Sequence, residues 1–214
     1  MFMLDLLVSA VVETLFMVVV ASSLGFICGI PLALLLWVSS PHGLKPCALV
    51  YRVLSFLINT GRSIPYIIFM VLLIPVTRFL VGSSIGTLGA TVPLSLAAIL
   101  LYTRFAEESF SGISKGMIEA GKVMAATRMQ IIRKIVLSEA MPQLMAHLTT
   151  LTVMLVGFSA MAGAVGGGGL GDLAIRYGYQ RYDIVFLSII VVILVVLVQS
   201  VQMTGDWLVQ RLRK

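Results

Sequence analysis

Ser159 and His147 raise hydrolysis first, because "GFSA" (157–160) has the form of a nucleophile turn and an imidazole is a common base. The two lie 12 positions apart on one expected helix, which separates them by about 18 Å along its axis. A base has to come within about 3 Å of its nucleophile, so one chain cannot form this dyad. No H-E-x-x-H occurs that would place two zinc ligands on a helix face. "GGGGLG" (166–171) fits G-x-G-x-x-G, yet it follows an apolar span and has no strand–helix unit around it to hold a dinucleotide. A G-x-x-x-x-G-K-[ST] loop is missing, so any ATP hydrolysis must come from another chain. Cys28 and Cys47 have neither CxxC nor metal spacing and read as small core hydrophobes. The sequence thus offers no catalytic constellation and no metal site.

The elements that carry these residues are membrane spans. The 214 residues have a mean hydropathy of +1.07, and only 11% are charged, against about 25% in a soluble domain. Several apolar runs approach or exceed the roughly 20 residues that cross a bilayer. The expected fold is an all-α membrane protein, a single helical unit over 1–214 with no room for a second soluble domain. "MFMLDLL" at the start has no basic residue and reads as retained rather than as a secretory signal. Five spans are expected, within Val11–Trp37 and at about Ile58–Leu80, Gly86–Thr103, Gln143–Val165 and Ile184–Met203. The second is awkward, since Cys47–Val81 is too long for one straight span, too short for two, and interrupted by "NTGRS" (59–63).

Basic residues set the orientation. Lys45, Arg52, Arg62, Arg104, Lys115, Lys122, Arg128, Arg133, Lys134, Arg211, Arg213 and Lys214 fall on one side, and Arg78, Arg176 and Arg181 on the other, 12 against 3. The first side is expected to be cytoplasmic, with the N-terminus outside and the C-terminus inside. The net charge of +6 is then topological, and no soluble basic face remains for nucleic acid.

That orientation puts "EAGKVMAATRMQIIRKIVLSEAMP" (119–142) in the cytoplasm between spans three and four. The spacing predicts a helix-turn-helix at about 110–140. Ile113, Met117, Ala120, Gly121 and Met124 recur at helical spacing on the first helix. "TRMQ" (127–130) has the form of a capping box. Met129, Ile132, Ile135 and Val136 share a face of the second helix, and Pro142 opens the fourth span. An amphipathic connector lying on anionic headgroups would show the same charges. The small Ala120, Gly121 and Ala125 favour a second reading, a surface that lets a partner groove come close.

The stretch resembles the signature loop of bacterial ATP-binding-cassette importer permeases: Glu-Ala-Ala, three residues, Gly, nine residues, Ile, one residue, Leu-Pro. Glu119, Ala120, Ile135 and Leu137 match at that spacing, whereas Gly121, Ala125 and Ser138 depart from it. "RSIP", with Arg62, Ser63 and Pro65, resembles the segment that starts a core span in amino-acid permeases. "FSAMAGAVGGGGLGDLAIRYGYQRYD" (158–183) is similar to the end of the fourth span and the following loop of methionine-uptake permeases. The resemblance covers almost the whole chain and points to the methionine ABC importer permeases, with the type I importer permease fold. It implies a multi-pass protein of the bacterial cytoplasmic (inner) membrane, two copies of which form the pore for ATP-driven methionine uptake. It further implies two cytoplasmic ATPase subunits, each receiving one coupling helix, and a periplasmic methionine-binding (lipo)protein. The coupling residues would be Glu119, Ala120, Gly121, Ala125, Ile135 and Leu137. ATP and Mg would be used by the ATPase and not bound by this chain.

The remaining candidates sit at span ends. Ser159, Gly163 and Gly167 recur every fourth residue, a spacing for tight helix packing. Met161 is the one long side chain in that run, either a core or lipid-facing methionine or an apolar plug that closes a passage beside Ser159 and Gly163. His147 reads as a polar group packed near the cytoplasmic half of the bundle, Glu13 as an interface marker, and Glu107 and Glu108 as solvated. Arg176, Tyr177, Tyr179 and Arg181 in the outer loop fit interfacial anchors and a binding-protein docking surface equally. Two other functions compete. An ion-gradient-driven secondary amino-acid transporter would show repeated halves or an acid at mid-span, and neither is evident. A structural subunit without a transport path would show no coupling to ATP hydrolysis.

Overall fold

The computed structural model describes residues 2–212; Met1 and two of the counted basic residues, Arg213 and Lys214, lie outside the described residues. Four helices are long and apolar enough to cross a membrane: α1 (Phe2–Ser39), α5 (Thr87–Ser111), α8 (Leu137–Ala164) with the segments that lead into it, and α10 (Ile184–Leu212). A bent pair, α2 (Ala48–Ser63) and α3 (Tyr66–Leu72), supplies the fifth candidate span, followed by α4 (Ile74–Val81). No strand occurs among the described residues.

The most extensive packing joins α1 to α5, and small residues permit it. A Cβ on Gly25 would stand 3.1 Å from Ala98 Cβ, and one on Gly29 would stand 3.0 Å from the Tyr102 ring. Without lipid-excluding water to drive association, such close backbone approach is what holds spans together. Leu94, Ala98, Tyr102 and Ala106 of α5 and Leu144, Leu151 and Leu155 of α8 are fully buried in the core. Tyr102 donates its hydroxyl to the Leu144 carbonyl at 3.0 Å, so the one polar atom of that core ring is satisfied.

The second span differs from the expectation. "NTGRS" does not interrupt a helix; it forms the last turn of α2. The break falls at Ile64–Pro65, where the axis turns by 106°. Proline clashes with helical geometry in the residue before it, and Ile64 takes φ −80°, ψ 125°. Span 58–80 is therefore three pieces rather than one rod.

The cytoplasm-assigned helix-turn-helix is present, with a shifted register. α6 (Lys115–Val123) ends in a turn, and α7 (Arg128–Gln130) starts with the expected capping box: Thr127 N–H donates to Gln130 Oε1 at 2.8 Å, and Gln130 N–H to Thr127 Oγ1 at 3.3 Å. From there the chain runs without a stop into α8 through a π-helical segment, Ile131–Val136. Pro142 therefore lies inside a helix rather than opening one. The π turn also changes which residues face inward. Ile131 and Val136, five apart, are buried, whereas Met129 is 66% exposed, because i→i+5 bonding replaces the α period there.

The turn of this unit is a Schellman motif: Ala126 N–H donates to the Gly121 carbonyl at 3.1 Å and Ala125 N–H to the Lys122 carbonyl at 3.0 Å. Ala125 consequently has φ +54°, in the left-handed region where its Cβ meets the next carbonyl. Ala125→Gly is expected to stabilise the unit by about 1 kcal/mol, seen as a higher thermal-denaturation midpoint in detergent with ATPase association unchanged.

Three smaller expectations are corrected. Cys28 and Cys47 are exposed on the single chain and fill no core. Glu107 is buried and paired with Arg104, while Glu108 is exposed as expected. Gly167 lies beyond the end of α8 at Ala164, so the Ser159–Gly163–Gly167 repeat is not one helix stripe.

Candidate functional site

α8 separates the residues grouped around Met161. Ser159 and Gly163 face inward: Ser159 is 2% exposed and bonds its own helix at the Val156 carbonyl, and a Cβ on Gly163 would run into the Gly171–Asp172 backbone. Neither lines a passage. Met161 points the other way and is 48% exposed. It shares a face with Gln143, Thr150, Gly157 and Ala164, all exposed, at spacings that return to one side of an α-helix. A Cβ on Gly157 would meet nothing within 4 Å.

The composition of that face distinguishes it from lipid-facing surfaces. The exposed side of α10 carries Val185, Ile189, Val192 and Val196, and that of α1 carries Leu4, Val8, Val12 and Val19. Large aliphatics suit hydrocarbon; Gln143, Thr150 and Gly157 suit water or a second protein surface. At its basic end the face adjoins a cleft of about 250 Å³ between α8 and α10, lined by Thr150, Met154, Gln202 and Asp206. Thr150, Gly157 and the α10 residues escaped the sequence reading. Their signal was there in the polar and small residues recurring at i, i+3/i+4 through an apolar span.

Arg62 also moves. It was assigned to the cytoplasmic side, yet α2 climbs along α5 before its break, with Arg104 donating to the Ser55 carbonyl at 3.2 Å and Gly61 abutting Leu100. Leu100 lies one residue past the midpoint of α5 (Thr87–Ser111). Arg62 thus stands beside the middle of helix α5, next to the apolar stretch that precedes Arg104, and is exposed on the single chain. Ser63 donates its hydroxyl to the Asn59 carbonyl at 2.8 Å, closing α2 before Pro65.

At the opposite end, the glycine run carries the chain back against α1. Gly169 N–H donates to Glu13 Oε2 at 2.6 Å, and Leu170 N–H to Thr14 Oγ1 at 2.9 Å. Gly168 and Gly169 have φ +78° and +76°, and a Cβ on Gly168 would stand 2.7 Å from the Glu13 carboxylate. Glu13 is therefore an anchor for α9 (Gly169–Leu173) rather than an interface marker. Glu13→Ala is expected to cost about 2 kcal/mol, read as a lower denaturation midpoint, and Glu13→Gln, which keeps an acceptor, clearly less.

In the π-helical segment Ala174–Tyr179 that follows α9, Tyr177 packs at a tilt against Phe186 with centroids 5.3 Å apart, and the Arg181 guanidinium lies 4.5 Å from the Tyr177 ring. Arg176 pairs with Asp172. Of the four residues grouped for docking, Tyr179, 69% exposed, offers a free ring; Tyr182, 82% exposed, joins it.

On the helix-turn-helix, Glu119, Ala120 and Ala125 are exposed, whereas Gly121 is buried. A Cβ on Gly121 would stand 2.8 Å from Ile135 Cδ1. Gly121 and Ile135 thus join the two helices, and Leu137 packs partly into the core; none of the three belongs to the outward face. Val123, Met124 and Met129, 87%, 82% and 66% exposed, form an apolar tip. His147 is packed as expected, its Nδ1 3.0 Å from Ser109 Oγ and its ring against Phe105.

Residues 25–214 match the model of the binding-protein-dependent transport system inner membrane component family. The chain is 47% identical, over 97% of its length and 92% of the relative's, to a probable D-methionine transport system permease protein of Vibrio cholerae serotype O1. Among solved structures it is similar to a chain of the MetNI methionine ABC transporter in inward-facing conformations, with 44% identity, a TM-score of 0.96, and coverage of 98% of this chain and 97% of that one. An amino acid ABC transporter structure shares the fold at a TM-score of 0.80 and 18% identity, covering 97% and 94% of the two chains.

Proposed function

Because the chain belongs to the family of binding-protein-dependent transport system inner membrane components, we propose that it is the pore-forming permease subunit of an ATP-driven methionine importer of the bacterial inner membrane. The observation that carries this reading is the near-full-length agreement, in sequence and in backbone, with methionine transport permeases. Two copies face each other across the open faces of α8, with Met161, Thr150 and Gly157 toward the shared passage. Glu119, Ala120 and the apolar tip at Met124 dock into an ATPase on the basic side. Tyr179 and Tyr182 meet the methionine-binding protein on the other. This orientation keeps the N-terminus outside and the C-terminus in the cytoplasm. The chain itself performs no chemistry; ATP and Mg are bound by the ATPase.

The mechanism is alternating exposure of the α8 faces. ATPase closure moves α6, and the uninterrupted path from α7 through Ile131–Val136 into α8 passes that movement to the passage. Single π turns inside α-helices are rare and frequently lie at functional sites, which suits a segment that relays movement. In proteoliposomes with the ATPase and binding protein, methionine uptake is expected to require ATP hydrolysis. Uptake that persists without ATP and follows an ion gradient would overturn the proposal in favour of a secondary transporter.

A further inference from the structure

We propose that Arg62 binds the carboxylate of the amino acid in transit, at a site between α2 and α5; the inference rests on the reading of the chain as an amino-acid importer permease. A guanidinium beside the apolar part of a span is costly in hydrocarbon and persists where it is paired or where water and an anion reach it. Arg62 has no ion-pair partner among the described residues. Glu107, two turns further along α5 from Leu100, is taken by Arg104, which also adds a second positive charge close to Arg62. Two guanidiniums and one carboxylate leave one positive charge uncompensated at this junction.

The space beside Arg62 has the size of a headgroup. A cavity of about 60 Å³ is lined by Arg62, Tyr66, Phe69, Leu100 and Phe158. It admits a carboxylate with a water, not a whole amino acid, so the ligand's side chain stays in the passage. Phe158 belongs to α8 and follows Gly157 of the open face, so cavity and passage adjoin. Tyr66 and Phe158 stack with centroids 4.6 Å apart and planes 5° from parallel, forming a rigid aromatic wall to the carboxylate pocket. Arginine binds a carboxylate through two parallel N–H donors, which fixes the ligand's orientation as well as its charge.

The experiment uses the assembled transporter with Cys28→Ala, Cys47→Ala and a reporter Ile64→Cys at the cavity wall. Labelling of the reporter by a small uncharged thiol reagent is expected to slow when L-methionine is added. Methionine methyl ester, which lacks the carboxylate, gives no protection. Protection by methionine needs about tenfold more ligand in Arg62→Lys and disappears in Arg62→Gln, with complex yield unchanged. Equal labelling with and without methionine, equal protection by the ester, or protection that survives Arg62→Gln overturns the proposal. ATP-driven uptake measured on the same complex keeps the two readings apart. Uptake without protection removes the carboxylate site alone; protection with uptake that ignores ATP removes the importer reading.

Discussion

Gly157→Trp is expected to reduce methionine uptake to background while the complex assembles at normal yield. The argument is one of volume and place. A Cβ on Gly157 would meet nothing within 4 Å, so the indole starts into open space on the exposed side of α8. Its neighbours on the same face are Thr150, Met154 and Met161, and in the proposed dimer that face borders the passage. An indole there fills the route that the substrate takes. Were the face turned to lipid, tryptophan would be tolerated and uptake would stay near wild type, which would refute the placement. Ser159→Trp serves as the contrast, because Ser159 is 2% exposed; its overpacking lowers yield rather than uptake per complex. Met161→Ala tests the same face in the other direction. Shortening two apposed apolar side chains opens a leak for small solutes without ATP, measured as solute flux into vesicles without nucleotide.

What the sequence disclosed follows from the strength of each physical signal. Long apolar runs made four of the spans legible because a bilayer demands uninterrupted length, and the bent pair α2–α3 supplies the fifth candidate. The capping box at Thr127–Gln130 was legible because it is local, four residues that satisfy one another. Faces were harder. In an apolar helix hydrophobicity does not separate lipid from protein contact, so Ser159 and Gly163 could not be told from Met161 by composition. The π segment Ile131–Val136 defeated periodicity outright, since its spacing belongs to no α-helical template. The role of Glu13 was not legible because its partner, the Gly169 N–H, lies 156 positions away in the sequence. The neighbours of Arg62 were hidden because α2 packs along α5, which sets Gly61 against Leu100 nearly forty positions away.

The same geometry redirects the test of energy coupling. Gly121 invites a bulky substitution, yet its position is inside the helix-turn-helix, against Ile135 and Ile131. Gly121→Trp is therefore expected to force α6 off the second helix at a cost of about 1–3 kcal/mol or more, lowering expression along with association. The outward residues carry the specific test. Ala120→Trp adds bulk where the chain itself has no contact to lose, and Met124→Glu places a charge on the most prominent apolar tip, 82% exposed in the single chain. Both should leave the spans inserted and the denaturation midpoint unchanged. Both should weaken ATPase association by about 2 kcal/mol or more, the loss expected when a central interface anchor is removed, and uptake should fall with it. Glu119→Lys is expected to act in the same direction where the receiving groove is basic. Co-purification of the ATPase with each variant, scored against membrane expression, separates the cases. Wild-type association and uptake in Ala120→Trp and Met124→Glu together would remove this face from the coupling surface, and would leave the buried Gly121–Ile135 contact as a purely structural hinge.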